Sequence, residues 1–279
     1  MPDGDAQTTI PTPADPATCR HLQVIRHAGG QAIPASRLAP EEAAVALVHD
    51  AATTAVMMAT PADLEDFAVG FSLTEGLVDD LSQISGLEVV ESDLGFEARV
   101  WLAADRAVVN AARRRRLAGP TGCGLCGVES LEAALPPVRR VGEGQRVTAD
   151  QVHAAVEGLA AAQSLGAATR AVHAAGWWRP DSGLVAMRED VGRHNALDKL
   201  AGALARSGQG AAGEGILVLT SRVSVEMVQK AAAIGAQLVV AVSAPTALAV
   251  RTAQACGLTL AAVARADGFE VFTHSERIS

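Results

Sequence analysis

Continuous apolar runs alternate with helical patterns through the C-terminal half of the chain. Runs of this kind lie at residues 216–220, 238–242 and 258–263. Ser224 is placed to cap a helix after the first run, and Pro245 is placed to open a helix after the second. Strands without a polar face are typical of a parallel sheet that is covered on both faces. The pattern therefore predicts an α/β domain.

This domain is expected to begin with a helix. Thr148 and Gln151 have the spacing of a capping box, in which each side chain bonds the backbone N–H of the other residue. The helical pattern then continues to about Ala162. We therefore place the α/β domain at residues 148–279.

Short apolar runs surround one helical pattern in the N-terminal half. Thr60 is a residue type favoured at the N-cap of a helix, and Pro61 is one favoured at the first helical position. Gly76 is a residue type that often follows the last turn of a helix. Apolar residues follow at helical spacing from Leu64 onwards. These elements predict a small α+β domain over residues 19–112. Its strands are predicted at residues 45–48, 55–58, 87–91 and 97–102.

Two stretches lack such periodicity. Residues 1–18 are rich in Pro, Thr, Ala and Asp, a composition that predicts a disordered tail. Residues 113–147 contain four consecutive arginines, a glycine-flanked CxxC and a Pro-Pro pair. This second stretch is predicted to be a basic, cysteine-bearing loop or linker between the two domains.

Composition argues against two classes of protein. A net charge of −8 argues against a general nucleic-acid binder, which needs a broad basic face. The uncharged stretch 231–250 is long enough to cross a bilayer, but Gly235, Gln237 and Pro245 interrupt it. We interpret it as the end of one helix, a buried strand and the start of another helix. We therefore expect no membrane span.

The N-terminus and the cysteines bear on the compartment. The first six residues carry two Asp and neither Lys nor Arg, and no apolar segment follows, so no secretory signal is expected. Of the four cysteines, only Cys123 and Cys126 are close in sequence, which is not the pattern of a disulfide scaffold. We therefore expect a cytoplasmic protein in a reducing compartment.

Cys123 and Cys126 form a CxxC whose chemistry the spacing leaves open. A structural zinc site needs four ligands, and the chain has neither a second CxxC nor the H-x-E of a deaminase. A thioredoxin-like dithiol opens a helix after a strand, whereas glycines flank both cysteines here. Two ordinary loop cysteines are the third interpretation, although the nearby glycines disfavour packing in a core.

The fourth interpretation is a persulfide carrier. Sulfur relay needs a nucleophilic, accessible thiolate, and the flanking glycines leave the backbone free to move. The arginines at 113–116 are placed to raise the thiolate fraction and to attract an anionic acceptor. A run of charges is equally typical of a solvated surface. The residues alone leave all four interpretations open.

Five ionisable residues crowd one short stretch downstream. His194 has the chemistry to move protons, and Arg193 has the chemistry to hold a phosphate. The alternative is an ordinary helix N-terminus, in which Asp190 favours the helix dipole while Asp198 and Lys199 face solvent. Both interpretations remain open at this point.

Polar residues also follow the ends of two predicted strands. Ser221 and Arg222 come directly after residues 216–220, and Arg265 follows residues 258–263. Ligands of open α/β sheets collect at the carboxyl ends of strands, and arginine suits phosphate. The sequence predicts an anion site at this edge, the alternative being that Arg265 only solvates the strand end.

Several blocks resemble the FdhD family, in the same order along the chain. TGCGLCG at 121–127 and the basic stretch at 113–119 are similar to the cysteine loop of that family. The stretch 57–71 resembles its N-terminal signature, and EDVGRHNALDK at 189–199 resembles its central block. Further similarity lies at residues 221–232 and 241–250, so that the resemblance runs from about residue 40 to the end.

This resemblance implies a fold and an activity. The fold is a cytidine-deaminase-like α/β domain with a smaller N-terminal domain, in a homodimer. The activity is sulfur transfer from a cysteine desulfurase to the molybdenum bis(guanine dinucleotide) cofactor, needed by formate dehydrogenase. Cys123 matches the persulfide cysteine of the family, and Cys126 matches its second cysteine. No structural metal is implied.

The resemblance also places the cofactor. The segment that corresponds to the cofactor-binding segment of the family consists of Val263, Ala264, Arg265, Ala266, Asp267 and Gly268. Ser221, Arg222, Arg193 and His194 join it as candidate contacts. Two rival functions stay open: an escort protein that binds the cofactor without transferring sulfur, and a zinc-dependent deaminase.

Overall fold

The computed structural model describes residues 17–104, 106, 138–142, 144–210 and 215–279. In these ranges the chain folds into three β-sheets with helices packed beside two of them. The fold is mixed α/β, as the pattern predicts.

The largest sheet has six strands in the order β12-β11-β10-β9-β7-β8. Its strands are β7 His173–Arg179, β8 Gly183–Asp190, β9 Ile216–Leu219, β10 Leu238–Ala241, β11 Thr259–Arg265 and β12 Gly268–Thr273. β9, β10 and β11 are parallel, which confirms the prediction for the three apolar runs. The antiparallel neighbours β7, β8 and β12 were not predicted.

Helices cover both faces of this sheet. They are α2 Ala149–Ala162, α4 Arg193–Arg206, α5 Val225–Ala233 and α6 Ala247–Cys256, and the short helix α3 Ser164–Thr169 follows α2 in the chain. α4, α5 and α6 pack on one face around Trp177, and α2 packs on the other through Val152 and Leu159. The predicted capping box of α2 is present, with Thr148 and Gln151 bonding each other's backbone nitrogens.

The N-terminal half forms a four-stranded sheet with one helix on its inner face. Its elements are β3 Ala43–His49, β4 Ala52–Ala59, α1 Leu64–Thr74, β5 Ile84–Ser92 and β6 Gly95–Leu102, with the strand order β4-β3-β6-β5. Phe67 and Phe71 of α1 fill the space against Leu47 and Val100. All four predicted strands and the helix are therefore confirmed.

The predicted start of α1 is wrong. The helix begins at Leu64 after Asp63, a residue with positive φ and no capping bond from its side chain. Thr60 does not cap it, because its backbone N–H, hydroxyl and carbonyl all bond to residues of the C-terminal half. The groups of Thr60 that would cap the helix are therefore used in contacts with residues 130 or more positions away in the sequence.

α1 and α4 cross at two glycines, Gly70 and Gly202. A β-carbon on Gly202 would lie 2.7 Å from the carbonyl carbon of Asp66, which is closer than real β-carbons approach. The two backbones are therefore in direct contact, and the crossing joins the N-terminal sheet to the large sheet through adjoining layers of helix.

The third sheet is a two-stranded ribbon that the sequence pattern did not reveal. It consists of β1 Cys19–Ala28 and β2 Gln31–Pro40, joined by Gly29 and Gly30. Both glycines have positive φ, as tight hairpin turns require. Most of the ribbon is exposed on both faces, so the strands lack the alternation by which half-buried strands are recognised.

The uncharged stretch 231–250 folds as interpreted from the sequence. It contains the end of α5, the strand β10 and the start of α6, which Thr246 caps. Among the residues that the structure describes, no helix is long and apolar enough to cross a membrane.

Candidate functional site

Four strands of the large sheet point the same way and end at one edge. β9, β10 and β11 are parallel, and β8 shares their direction because both β8 and β9 run antiparallel to β7. We call their shared end the carboxyl edge. The predicted site residues that the structure places here are Arg193, His194, Ser221, Arg222, Val263, Ala264, Arg265, Ala266, Asp267 and Gly268.

Arg222 and Arg265 are exposed at this edge, whereas Arg193 is partly buried and Ser221 is buried. Arg265 donates through Nη1 to the carbonyls of Val242 and Ala264. Ser221 donates to the carbonyl of Arg222 at 3.0 Å. The edge therefore presents guanidinium groups to solvent, as an anion site requires.

Val263 has a backbone conformation that a β-branched residue rarely adopts. Its φ is 55°, and the pairing of β11 with β12 is irregular between Ala262 and Arg265. The backbone N–H of Val263 donates to the carbonyl of Ser243 at 3.3 Å. Strain of this kind persists only where the surroundings impose it, and it concentrates at functional sites.

A buried polar network centres on Asp190. Its carboxylate lies 2.6 Å from Nζ of Lys199, and both side chains are 0% exposed. Gly192 N and Asn195 Nδ2 donate to Oδ1, and Thr60 N donates to Oδ2. The central block resembling the FdhD family therefore holds the two halves of the chain together at this point.

Asp198 does not face solvent as one interpretation of the sequence expected. It is buried and accepts bonds from Lys230 at 2.9 and 3.0 Å and from the hydroxyl of Thr74 at 2.6 Å. Burial opposes the charge on Lys230, but the carboxylates of Asp198 and Glu75 outweigh it and hold the pKa of Lys230 above its ordinary value. The expectation that Lys199 faces solvent is wrong for the same reason, because its partners come from other elements.

Four buried polar atoms near the carboxyl edge lack a hydrogen-bond partner among the described residues. They are Nε of Arg193, Nε2 of His194, Oγ of Ser224 and Oε2 of Glu226. Burial, with the charges of Arg193 and Lys230, lowers the pKa of His194 to about 4. His194 is therefore neutral at pH 7 and offers an imidazole rather than a positive charge.

His173 opens β7 at the same edge. Burial, with the charge of Arg193, lowers its pKa from the ordinary value, while Asp190 acts in the opposite direction. Of the polar groups at this edge, sequence reasoning had proposed Ser224 only as a helix cap and had not proposed Glu226. Ser224 lies at the N-cap position of α5, but its side chain makes no capping hydrogen bond. The only signal for either as a site residue was its position just after a predicted strand.

A cavity of about 890 Å³ lies at the opposite, amino edge of the sheet. The ends of α1, α4 and α5 line it together with residues 138–142, which include Arg139 and Arg140. Asp79 also lines it and pairs with Arg106. The described residues that flank 107–137 on both sides therefore lie at this cavity.

The two candidate catalytic cysteines, Cys123 and Cys126, lie outside the described residues. Cys256 is buried at the end of α6, and burial raises the pKa of its thiol. A buried thiol of raised pKa is a poor nucleophile. Within the described ranges, no group of three or more His, Cys, Asp or Glu side chains is arranged to hold a metal ion.

Comparison with known sequences decides the family. The sequence model described as "FdhD/NarQ family" matches residues 40–279. The chain belongs to the FdhD/NarQ family. The match takes in all three parallel strands, the crossing of α1 with α4, and the CxxC at 123–126.

Curated members of the family resemble this chain over nearly its whole length. A protein of Agrobacterium fabrum named sulfur carrier protein FdhD is 51% identical over 92% of this chain and 96% of its own. A protein of the same name from Brucella abortus is 53% identical over 87% of this chain and 90% of its own. A protein of this name from Cupriavidus necator is 46% identical over 95% of this chain and 92% of its own.

A solved structure has the same fold as this FdhD/NarQ chain. It is a protein of Desulfotalea psychrophila, assigned provisionally as a formate dehydrogenase accessory protein. The TM-score is 0.73 at 22% identity, and the alignment covers 94% of this chain and all of that one. This likeness confirms the mixed α/β architecture.

Proposed function

We propose that this chain is a sulfur carrier that serves formate dehydrogenase. The observation that carries the proposal is the shared name of relatives 44–53% identical over almost the full chain, all called sulfur carrier protein FdhD. The glycine-flanked CxxC at Cys123 and Cys126 supplies the chemistry that such a name requires. The rival interpretations of this CxxC as a zinc site or an ordinary loop do not account for the name.

Cys123 accepts sulfur as a persulfide in this proposal. Its thiolate attacks the outer sulfur of a persulfide on a cysteine desulfurase, forming a new S–S bond and releasing the thiolate of the donor. Cys126 can then attack the inner sulfur of Cys123. This step forms a Cys123–Cys126 disulfide and releases the outer sulfur as hydrosulfide, with the two thiols supplying both electrons.

Chain length permits the cysteine stretch to serve both edges of the sheet. Arg106 and Val138 flank it at the amino-edge cavity, and Cys123 lies near the middle of the 31 residues 107–137. About 16 residues of fully extended chain span roughly 50 Å, which is about the diameter expected of a compact chain of this length. The stretch is therefore long enough for Cys123 to deliver sulfur at the carboxyl edge.

The acceptor in this proposal is the molybdenum bis(guanine dinucleotide) cofactor, held at the carboxyl edge. Arg265 and Arg222 supply exposed guanidinium groups for pyrophosphate, and the segment 263–268 supplies backbone for the nucleotide. The neutral imidazole of His194 and the guanidinium of Arg193 each add a hydrogen-bonding nitrogen without a partner among the described residues. The cytidine-deaminase-like classification of the domain and a cytoplasmic location remain parts of the proposal.

Mass spectrometry of the full chain tests sulfur loading. After incubation with a cysteine desulfurase and cysteine, Cys123 should gain one sulfur atom, and Cys126→Ala should retain it for longer. Cys123→Ala should abolish both loading and activation of formate dehydrogenase. Unchanged mass at Cys123, or full activation by the Cys123→Ala, Cys126→Ala double variant, would instead favour an escort protein that transfers no sulfur.

A further inference from the structure

Two layers of polar residues lie between α4 and α5, one helical turn apart. Both helices begin at the carboxyl edge, because they follow β8 and β9. In the inner layer, Asp198 of α4 bonds Lys230 of α5 at 2.9 and 3.0 Å. His194 and Glu226 lie four residues nearer the start of the same helices, and residues four apart share a helix face. His194 and Glu226 therefore form an outer layer beside the carboxyl edge.

Electrostatics supports the proximity of these two side chains. Burial lowers the pKa of His194 most, and the charge of Glu226 acts in the opposite direction, so the two side chains lie within electrostatic reach of each other. No hydrogen bond joins them in the part of the chain that the structure describes. The space between them is therefore bordered by polar groups that do not use each other.

The inner layer is satisfied, whereas the outer layer is not. Asp198 and Lys230 bond each other and further groups of α1. The outer atoms that are buried without a partner among the described residues are Nε of Arg193, Nε2 of His194, Oγ of Ser224 and Oε2 of Glu226. We call these four side chains the edge cluster. Buried polar atoms are nearly always hydrogen-bonded in native proteins, so four unbonded ones together point to a ligand.

Ser224 shows that the fold leaves these atoms unused. It lies at the N-cap position of α5 with an extended backbone, yet its hydroxyl makes no capping hydrogen bond. Serine at this position ordinarily accepts from a backbone N–H of the first turn. The four residues are only partly buried, so the edge cluster borders the solvent at the carboxyl edge.

The edge cluster combines donors with acceptors. Nε of Arg193 only donates, the carboxylate of Glu226 only accepts, and a neutral imidazole or a hydroxyl does either. A phosphate, which offers mainly acceptors, would lie against the carboxylate, and a cation would lie against the guanidinium. The complementary ligand is a neutral group with N–H donors beside a carbonyl acceptor. A 2-amino-4-oxopyrimidine ring has this arrangement, with its ring N–H between an amino group and a carbonyl.

We propose that the edge cluster binds a 2-amino-4-oxopyrimidine ring and that Glu226 determines this specificity. The carboxylate of Glu226 accepts from the ring N–H and the amino group, and Arg193 donates to the ring carbonyl. Guanine and pterin share this ring, and the cofactor in the proposed function contains both. The inference therefore rests on the proposed function and specifies how the cofactor is recognised.

The groups proposed to hold phosphate lie at a suitable distance. Arg222 precedes Ser224 by two residues, and Arg265 ends β11, two strands away from β9. Two strand spacings amount to roughly 10 Å, which a nucleotide spans. A ring in the edge cluster and phosphates at the arginines can therefore belong to one ligand.

Calorimetry with the full chain tests the inference. The probes are guanosine diphosphate (GDP), inosine diphosphate (IDP), which lacks the amino group of guanine, and neopterin. The unchanged chain should bind GDP or neopterin, and Glu226→Gln should weaken that binding about tenfold to a hundredfold, because a charged acceptor becomes an amide. Glu157→Gln, at an exposed carboxylate on α2, is the matched control and should change neither affinity.

The probes distinguish the two sources of the ring. If the cluster holds guanine, the unchanged chain should prefer GDP to IDP, and Glu226→Gln should remove that preference. If it holds pterin, Glu226→Gln should weaken neopterin binding alone. Binding of neither probe, unchanged affinities in Glu226→Gln, or an equal loss in Glu157→Gln would overturn the inference.

Thermal unfolding supplies a second measurement. An unpartnered buried carboxylate contributes no internal hydrogen bond, so Glu226→Gln should unfold no more easily than the unchanged chain. A clear loss of stability would show that Glu226 serves the fold, and would overturn the inference as well. Normal loading of sulfur on Cys123, together with unchanged probe binding in Glu226→Gln, would refute this recognition while leaving the sulfur-carrier proposal in place.

Discussion

A β-carbon placed on Gly70 would lie 2.7 Å from the backbone nitrogen of Gly202, so these two glycines set how closely α1 and α4 approach. No side-chain rotation can relieve such a contact, because both partners are backbone. The crossing therefore depends on glycine at both positions.

Replacing Gly70 by Ala should destabilise the chain by about 3 kcal/mol or more, because the helices must separate and leave their packing. Urea unfolding monitored by tryptophan fluorescence measures this. Gly210→Ala is the control, since a β-carbon there meets no atom within 4 Å. Equal stability of the two variants would contradict the proposed role of the crossing.

Removing the charge of Lys199 should destabilise the fold strongly. Lys199→Met leaves Asp190 buried without its counter-charge, a change that costs about 3–5 kcal/mol. The exposed pair of Arg99 with Glu97 provides the comparison, and Arg99→Met should cost far less than Lys199→Met, because solvent screens an exposed pair. In the double variant Lys199→Met, Asp190→Asn the loss should be smaller than the sum of the two single losses, and strict additivity would argue against a coupled pair.

The low pKa of His194 makes stability depend on pH. The unfolded chain binds a proton at this residue near pH 6.5, whereas the folded chain does so only near pH 4. Stability should therefore be unaffected above pH 6.5 and fall progressively from pH 6.5 to 4, by at most about 3 kcal/mol from this residue.

The variant His194→Gln should flatten that dependence. Urea unfolding at pH 7 and pH 4.5 measures the difference, and His21→Gln on the exposed ribbon is the control. Some slope should remain, because the pKa of His173 is lowered as well. An unchanged slope in His194→Gln would show that this histidine is not kept neutral by burial.

Arg265 should contribute to nucleotide binding at the carboxyl edge. We expect weak binding of GDP, with Arg265→Ala weakening it by about 1–3 kcal/mol if a charged phosphate is held there. Calorimetry should find GDP bound more tightly than ADP. Arg251→Ala, an exposed arginine on α6, is the control and should bind GDP normally. Equal affinity for GDP and ADP would place the cofactor elsewhere.

Sequence reasoning succeeded where the signal is local. The runs at 216–220, 238–242 and 258–263 are short, almost wholly apolar and separated by helical patterns, as strands buried on both faces of a parallel sheet are. The parallel core of the sheet was therefore predictable. The capping box of Thr148 and Gln151 involves residues three apart and was equally readable. The carboxyl edge followed from strand direction alone.

It failed where the partner lies far away in the chain. Thr60 is a residue type favoured at N-caps, but its backbone N–H, hydroxyl and carbonyl bond to residues 190, 191 and 199. Asp198 and Lys199 have the appearance of surface charges in the sequence, because their counter-charges, Lys230 and Asp190, lie on other elements of the fold. The ribbon was missed because its strands are exposed on both faces, and an intramolecular burial pattern cannot indicate them.

The link between Thr60 and Asp190 constrains how the chain can fold during synthesis. The two residues are 130 positions apart, so at roughly 5–20 residues per second the ribosome needs on the order of ten seconds to supply the second after the first. Once residue 102 has been added the N-terminal sheet is complete, yet Gly70 of α1 still has no α4 to pack against. The nascent chain therefore carries an uncovered helix face for close to half of its translation, which is the period when chaperone binding would matter most.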